Sequence, residues 1–387
     1  MQPVPVMFVA GDPSGDIHAS FVIRRLREIR PAFRCFGIGG PAMTAAGFSP
    51  ILPFEPFNRM GFAEVAAHLG FFMAARRTLI RRLRGERPAV LVLVDYPGFN
   101  MAMLKAAARL SIPVVWYIAP KVWAWKKKRA AVLSRLADRI AVIFPFEVEL
   151  FERLGGRVAF VGNPLVEALG SAASAAPVER ALPERWTLGL VPGSRQQEVE
   201  RILPVMLDAF RLLRRRYPRM TGVLSRCAWL PQALFDQAAK EPGLITDEGP
   251  LTAMLDRCDL AIVTSGTATL ETALAGVPQV IVYRTSALTW LAARAVVRIR
   301  WIGLPNIISR ETVVPECIQG AVTGERLARE IGRFVDEPEY LGRTRDALAG
   351  IREKLGSRKP SEDVAAMIAA AADGNREREK RVTCTGR

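Results

Sequence analysis

Pro88-Ala-Val-Leu-Val-Leu-Val-Asp-Tyr-Pro-Gly-Phe-Asn100 is the stretch whose reading decides the fold. Val90 to Val94 is an unbroken β-branched and leucine run, the pattern of a strand buried on both faces of a parallel sheet. Asp95 ends the run, and Pro97 and Gly98 stop the strand. A carboxylate is thereby delivered to a strand's C-terminal edge, where open α/β sheets place their ligand crevice. There Asp95 can act as a general base, or it can cap the next helix and hold the turn.

Composition narrows the partners. With 387 residues, half of them apolar, the chain can bury a large core and is expected to form two domains. A net charge of +16 implies an anionic partner: nucleic acid, a nucleotide or an anionic membrane surface. Cys35, Cys227, Cys258, Cys317 and Cys384 are scattered without C-x-x-C spacing, which argues against a disulfide framework or zinc site and fits a reducing cytoplasm. No apolar run approaches the roughly 18–20 residues needed to cross a bilayer, and no signal pattern opens the chain, so it is not expected to be integral. His18 and His68 are the only histidines, and no D-x-D pair is present, so no metal and no cofactor is expected.

Outward from the Asp95 strand, the alternation of strand and helix continues in both directions. Val6 to Ala10 reads as a buried strand, and Gly11-Asp-Pro-Ser-Gly-Asp16 as a turn feeding a helix from Ile17 to about Ile29. Gly11 and Gly15 can let backbone N–H groups approach a sugar or phosphate; equally, the loop can be an ordinary turn with Ser14 or Asp16 as N-cap. A second unit follows at Phe33 to Ile38. Phe62, Val65, Ala66, Leu69, Phe72, Met73, Leu79, Ile80 and Leu83 then keep helical spacing while Arg76, Arg77, Arg81, Arg82 and Arg84 crowd the other face. That is either a core helix with a solvated basic face or a helix lying on a membrane. A helix from about Phe99 to Leu110, a strand Val114 to Ile118, the aromatic and basic run around Trp123 and Trp125, and a strand Arg139 to Ile143 complete a first parallel-sheet domain, residues 1–170.

Residues 171–183, rich in Ala, Ser and Pro, read as a linker. A second α/β domain, residues 184–345, opens with a strand Thr187 to Val191 and the loop Pro192-Gly-Ser-Arg195. Ser194 with Gln197 fits a capping box; alternatively Arg195 and the local N–H groups grip a diphosphate. The strand Leu260 to Thr264 leads into Ser265-Gly-Thr-Ala-Thr-Leu-Glu271, where Ser265, Gly266 and Thr267 place N–H groups and hydroxyls at a helix start suited to phosphate. Glu271, a turn further on, can accept both hydroxyls of a ribose or complement the helix dipole. Asn306 and Gln319 stand in loop and helix-start elements with amides available for hydrogen bonds. Residues 346–372 are expected to be helices packing back on the first domain, and 373–387 a disordered tail.

Taken together, Gly11-Asp-Pro-Ser-Gly-Asp16, Gly37-Ile-Gly-Gly-Pro-Ala-Met43, Met60-Gly-Phe-Ala-Glu-Val65, Val94-Asp-Tyr-Pro-Gly-Phe-Asn100, Tyr117-Ile-Ala-Pro-Lys-Val-Trp-Ala-Trp125, Pro145-Phe-Glu147, Val161-Gly-Asn-Pro-Leu165, Pro192-Gly-Ser-Arg195, Ser265 to Glu271, Leu304-Pro-Asn306 and Pro315-Glu-Cys-Ile-Gln319 resemble the lipid-A-disaccharide synthase family, in order from about residue 6 to residue 320. The resemblance implies a GT-B glycosyltransferase, two Rossmann-like parallel-sheet domains facing across a cleft. It implies metal-independent, inverting transfer of 2,3-diacylglucosamine from UDP to 2,3-diacylglucosamine 1-phosphate (lipid X). It further implies a peripheral position on the cytoplasmic face of the inner membrane, and dimers with exchanged C-terminal regions in some members.

On that resemblance Asp95 is the base. Ser194, Arg195, Ser265, Gly266, Thr267, Glu271, Asn306 and Gln319 are the UDP side; Gly11, Asp12, Ser14, Gly15 and Asp16 form the acceptor-side loop. Acylated substrates favour the membrane reading of the basic helix, with Phe62, Leu69, Phe71, Phe72, Met73, Arg76 and Arg77 as its contacts. The chain departs from the family pattern where Asp12 stands for a frequent Glu, Asn163 for a frequent His, and Gly98 for a common acidic residue. Two rival readings stay open at this point: a UDP-sugar epimerase on the same fold, and a nucleic-acid-binding protein, although no RNA or DNA module is recognisable.

Overall fold

The structure is a computed structural model that describes residues 3–58, 69–120, 127–169, 184–286, 290–291 and 300–385. Two parallel sheets organise it. The first holds β1 (Val4–Ala10), β2 (Phe33–Ile38), β3 (Ser49–Pro50), β4 (Val90–Val94), β5 (Val114–Tyr117), β6 (Arg139–Val142) and β7 (Val158–Phe160), in the order β3-β2-β1-β4-β5-β6-β7. The second holds β8 (Thr187–Val191), β9 (Thr221–Ser225), β10 (Leu244–Asp247), β11 (Leu260–Thr264), β12 (Gln279–Tyr283) and β13 (Glu316–Ile318), in the order β10-β9-β8-β11-β12-β13.

The physics of the opening stretch is visible in β4. It pairs with β1 on one side and β5 on the other, so its backbone is satisfied along both edges. Because strand side chains alternate, Val90, Val92 and Val94 enter one core while Leu91 and Leu93 enter the core on the opposite face. All five are fully buried. At roughly 1.5–3 kcal/mol per buried aliphatic side chain, this run alone fixes which strand lies at the centre.

Contacts divide the chain into two units, residues 1–167 with 355–387, and residues 168–354. The expected boundary at residue 345 therefore falls inside the helix Pro338–Leu355. The helix Pro360–Thr385 belongs to the first unit: Val364, Ala365, Ile368 and Ala372 form a stripe buried in the core over β1 and β4. Arg30 grips Asp373 through two hydrogen bonds of 2.7 and 2.9 Å. The tail expected to be disordered from Asp373 is instead helical as far as Thr385, since the helix is already nucleated by its packed half and, past Gly374 and Asn375, the Arg, Glu and Lys residues 376–381 are good helix formers.

Two helix starts also differ from expectation. The first helix begins at Pro13, four residues earlier, because Asp12 rather than Ser14 or Asp16 is the N-cap and accepts from Gly15 N–H at 3.1 Å, with proline at the first helical position. The capping box at Ser194 does not form; the helix Gln196–Arg216 starts after Arg195 without a side-chain cap. The linker 171–183, the tryptophans Trp123 and Trp125, and Phe62 lie outside the described residues.

Candidate functional site

Each sheet has one place where the strand order reverses, between β1 and β4 in the first and between β8 and β11 in the second. Loops leaving the C-terminal ends of such a pair diverge to opposite faces and open a crevice. The segments leaving β1 and β4 are Gly11–Asp12, running into the helix from Pro13, and Asp95–Tyr96, running into a helix from Pro97; those leaving β8 and β11 are Pro192 to Arg195 and Ser265–Gly266, running into the helix from Thr267. The four loops singled out in the sequence are thus the four that flank the two switch points.

In the first crevice Asp95 is half-buried and held by its backbone. Its N–H donates to Tyr117 O at 2.9 Å and its carbonyl accepts from Asn100 Nδ2 at 2.8 Å, an amide that also reaches Val9 O and Val94 O. Asp95 and Tyr96 both have positive φ, 39° and 50°. Two successive non-glycine residues in this region cost on the order of 1 kcal/mol or more each. The surrounding bonds over-determine that conformation, and such stored strain is characteristic of working sites.

Tyr96 is given no role by the sequence reading; its only signal is a bulky residue wedged between an acid and a Pro-Gly stop. In the fold its ring covers Gly11, where a Cβ would lie 2.7 Å from the ring, and its hydroxyl donates to Phe57 O at 3.2 Å. Gly11 is therefore bare to admit the tyrosine, and Gly15 to admit the Asp12 carboxylate, 2.9 Å from a Cβ there. Of the two readings of this loop, these contacts support the structural one, each glycine making room for a side chain of the fold. Asp12 keeps Oδ1 buried with no hydrogen-bond partner among the described residues, and burial raises its pKa above the usual carboxylate value. Ser14 Oγ and His18 Nε2 share a 3.1 Å hydrogen bond, and burial lowers the His18 pKa to about 4, leaving a neutral ring at neutral pH.

Asp16 differs from expectation. It is buried, and its carboxylate accepts from the N–H groups of Gly40 (2.7 Å), Ala42 (3.0 Å) and Met43 (3.0 Å). It clamps the turn after β2 to the first helix, with three of its roughly four acceptor positions taken by the chain.

In the second crevice Gly266 and Thr267 open the helix Thr267–Leu274. A Cβ at Gly266 would meet nothing within 4 Å, and Thr267 is exposed, so their amides border open space. Ser265 differs from expectation: its N–H bonds Val282 O (2.8 Å) and its hydroxyl donates to Ile302 O (3.0 Å), so it anchors the loop. Glu271 is half-buried, no hydrogen bond or ion pair reaches its carboxylate from the described residues, and burial raises its pKa. Arg195 is exposed and pairs with Glu198 at 2.9 Å, while Ser194 is exposed beside it. An exposed pair of this kind is worth roughly 0–1 kcal/mol, so a diphosphate can displace it at little cost.

The comparisons bear directly on these loops. The family model described as lipid-A-disaccharide synthetase matches residues 6–365, a span that takes in both crevices. The chain belongs to the lipid-A-disaccharide synthase family. The lipid-A-disaccharide synthase of Geobacter metallireducens is 41% identical over 94% of this chain and 96% of its own length. That of Trichlorobacter lovleyi is 40% identical over 92% and 94%. Among solved structures, a putative UDP-N-acetylglucosamine 2-epimerase from Listeria monocytogenes superposes with a TM-score of 0.64 at 14% identity, covering 97% of each chain. The glycotransferase of kitacinnamycin superposes with 0.63 at 16% identity, covering 96% of this chain and all of that one. At such identities these neighbours establish the fold, two parallel-sheet α/β units of GT-B type.

Several motifs that mark the lipid-A-disaccharide synthase family turn out to be scaffold. Asn306 is fully buried, donates to Val314 O (2.9 Å) and Glu316 Oε1 (2.8 Å), and accepts from the N–H groups of Val313 (2.8 Å) and Val314 (3.0 Å). Its hydrogen-bonding capacity is spent, which corrects its assignment to ligand binding. Glu316 in turn accepts from Ile302 and Gly303 N–H at 2.9 Å, fixing the carbonyl on which Ser265 rests. Gln319 accepts from Thr285 N–H at 2.9 Å through Oε1. Asn163, at the position where family members often carry His, is buried and accepts from Leu165 N–H at 3.0 Å.

The basic helix Leu69–Glu86 is divided by depth. Ala75, Leu79 and Leu83 are buried in the core of the first unit, and Phe71 and Phe72 are half-buried against Phe57 and each other. Met73, Arg76 and Arg77 are exposed. The side chain of Leu69, like Phe62, lies outside the described residues.

Proposed function

We propose that this chain transfers 2,3-diacylglucosamine from its UDP-linked form to the 6-hydroxyl of 2,3-diacylglucosamine 1-phosphate, forming a β-1,6-linked disaccharide phosphate and releasing UDP. The observation that carries the reading is the family match running through both switch-point crevices. Inversion needs one displacement at the anomeric carbon. Asp95 takes the proton of the attacking hydroxyl, and the departing diphosphate is stabilised by the Gly266 and Thr267 amides at the helix start and by Arg195. The carboxylate of Glu271 receives the ribose hydroxyls; its desolvation without a partner among the described residues is what a group awaiting a ligand shows. The solved epimerase from Neisseria meningitidis, bound to UDP-GlcNAc, has the same fold and supports a nucleotide sugar here.

Incubation with both lipids should yield, by mass spectrometry, a disaccharide phosphate and an equal amount of UDP. Conversion of the UDP-sugar with no acceptor present would replace this reading with the epimerase one. Glu271→Gln should raise the donor KM roughly ten- to a hundredfold, the range of a hydrogen bond to a charged group, with the acceptor KM unchanged. A donor KM within twofold of the unsubstituted enzyme would remove Glu271 from the ribose.

The same reading places the enzyme on the cytoplasmic face of the inner membrane, with Met73, Arg76 and Arg77 toward the headgroups. No described helix is long and apolar enough to cross a bilayer. Because Phe71 and Phe72 also pack in the core, charge is the cleaner probe. Replacing Arg76 and Arg77 by Gln should weaken sedimentation with phosphatidylglycerol vesicles about thirtyfold, at ~1 kcal/mol per basic residue near an anionic surface; equal sedimentation would move the contact elsewhere.

A further inference from the structure

Trp229 is 72% exposed, an unusual position for the largest side chain, which ordinarily contributes much of its area to a core. It is nevertheless fixed. β9 runs beside β8 in parallel register, Leu190 opposite Leu224, so the segments leaving the two strands emerge together on the crevice edge of the second sheet. From that segment the Trp229 indole Nε1 donates to Ser194 O at 3.2 Å. Cys227 Sγ lies 3.9 Å from Gly193 O in the same loop. The indole is thus tied to the Pro192 to Arg195 loop through its one polar atom, while most of the ring remains open to solvent.

Resting on the proposed function, we infer that Trp229 is the stacking surface for the planar base of the donor nucleotide. A tethered aromatic face beside an anion-binding loop matches the two chemistries a nucleotide carries, a π-face and a phosphate. Pinning through Nε1 removes in advance the side-chain freedom that binding would otherwise cost. The stack is indifferent to the base's hydrogen-bonding edge, so Trp229 sets affinity for the nucleotide more than its identity.

The experiment is calorimetric titration of the full chain and of Trp229→Ala and Trp229→Phe, with UDP and with inorganic diphosphate as probes. Trp229→Ala should weaken UDP roughly five- to 150-fold, the span measured for base–aromatic stacks, with diphosphate binding unchanged and most of the UDP affinity retained in Trp229→Phe. Unchanged UDP binding in the alanine variant overturns the inference. Equal loss for both probes overturns it too, making Trp229 a prop for the Ser194 loop. If the alanine variant keeps its UDP affinity but sediments less with phosphatidylglycerol vesicles, the ring serves a lipid surface and the inference falls. Failure of the unsubstituted chain to bind UDP would instead sink the proposed function itself.

Discussion

Asp95→Asn should lower the turnover of disaccharide formation by two to four orders of magnitude, the usual contribution of a general base, while leaving UDP affinity where it was. The amide has the shape of the carboxylate but cannot take a proton from the acceptor hydroxyl. The backbone supports at this position, Tyr117 O on the N–H and Asn100 Nδ2 on the carbonyl, do not depend on the carboxylate, so the loop keeps its form. Asparagine also tolerates the φ of 39° better than most residues do. Any nucleotide bound between the loops after β8 and β11 is held by the other unit, which is why binding and turnover should separate. Single-turnover measurement of the variant with saturating lipids is the check. Turnover within fivefold of the unsubstituted enzyme would take the proton-accepting role away from Asp95.

Asp16→Ala should cost about 3–6 kcal/mol of stability in the first unit. The substitution strips the acceptor from three N–H groups at Gly40, Ala42 and Met43, and a buried donor left unpaired costs about 1–3 kcal/mol. Against a total domain stability of about 5–15 kcal/mol, that is enough to leave a substantial fraction of the unit unfolded at growth temperature. Asp16→Asn retains one acceptor oxygen and should lose less than half as much. Urea unfolding followed by hydrogen exchange on Gly40 to Met43 is the measurement. A loss below about 1 kcal/mol for the alanine variant would mean that water or a shifted backbone satisfies these donors and that Asp16 is free for the acceptor after all.

The contrast between these two aspartates shows where sequence reading succeeds and where it stops. Asp95 follows a five-residue buried run and precedes Pro-Gly, so both its strand and its place at the crevice edge follow from local pattern. Asp16 lies in the first turn of a helix whose start reads as a loop of equally suggestive composition, yet its carboxylate is held by residues 24 to 27 positions away, a partnership no local spacing encodes. The same holds for Asn306, whose amide is used up across the turn to Val313, Val314 and Glu316, and for Ser265, whose hydroxyl is taken by Ile302. Polar residues clustered in motifs signal that hydrogen bonds must be made; whether a ligand or the chain makes them depends on what folding brings alongside.

Helix ends show the same division on a smaller scale. Pro13 after Asp12 is a complete local start signal that lay inside what reads as a loop, and the bonded geometry at Gly15 settles it. The last helix runs through Asp373-Gly374-Asn375, a local stop signal, as far as Thr385, so packing of Val364 to Ala372 on the first sheet and the Arg30–Asp373 pair outweigh that signal.

By itself the sequence determined the parallel α/β class, a strand buried on both faces, the loops that the strand order then sets at the two switch points, and the family, because each rests on periodicity or on short motifs that are local in the chain. Only the tertiary structure decided which of the loop residues remain open to a ligand, that Tyr96 fills the space over Gly11, that the last helix continues past Asp373, and that Trp229 is held at the edge of the second crevice. These depend on contacts between residues far apart in sequence, and burial and hydrogen-bond satisfaction are properties of the folded neighbourhood rather than of any residue's place in the chain.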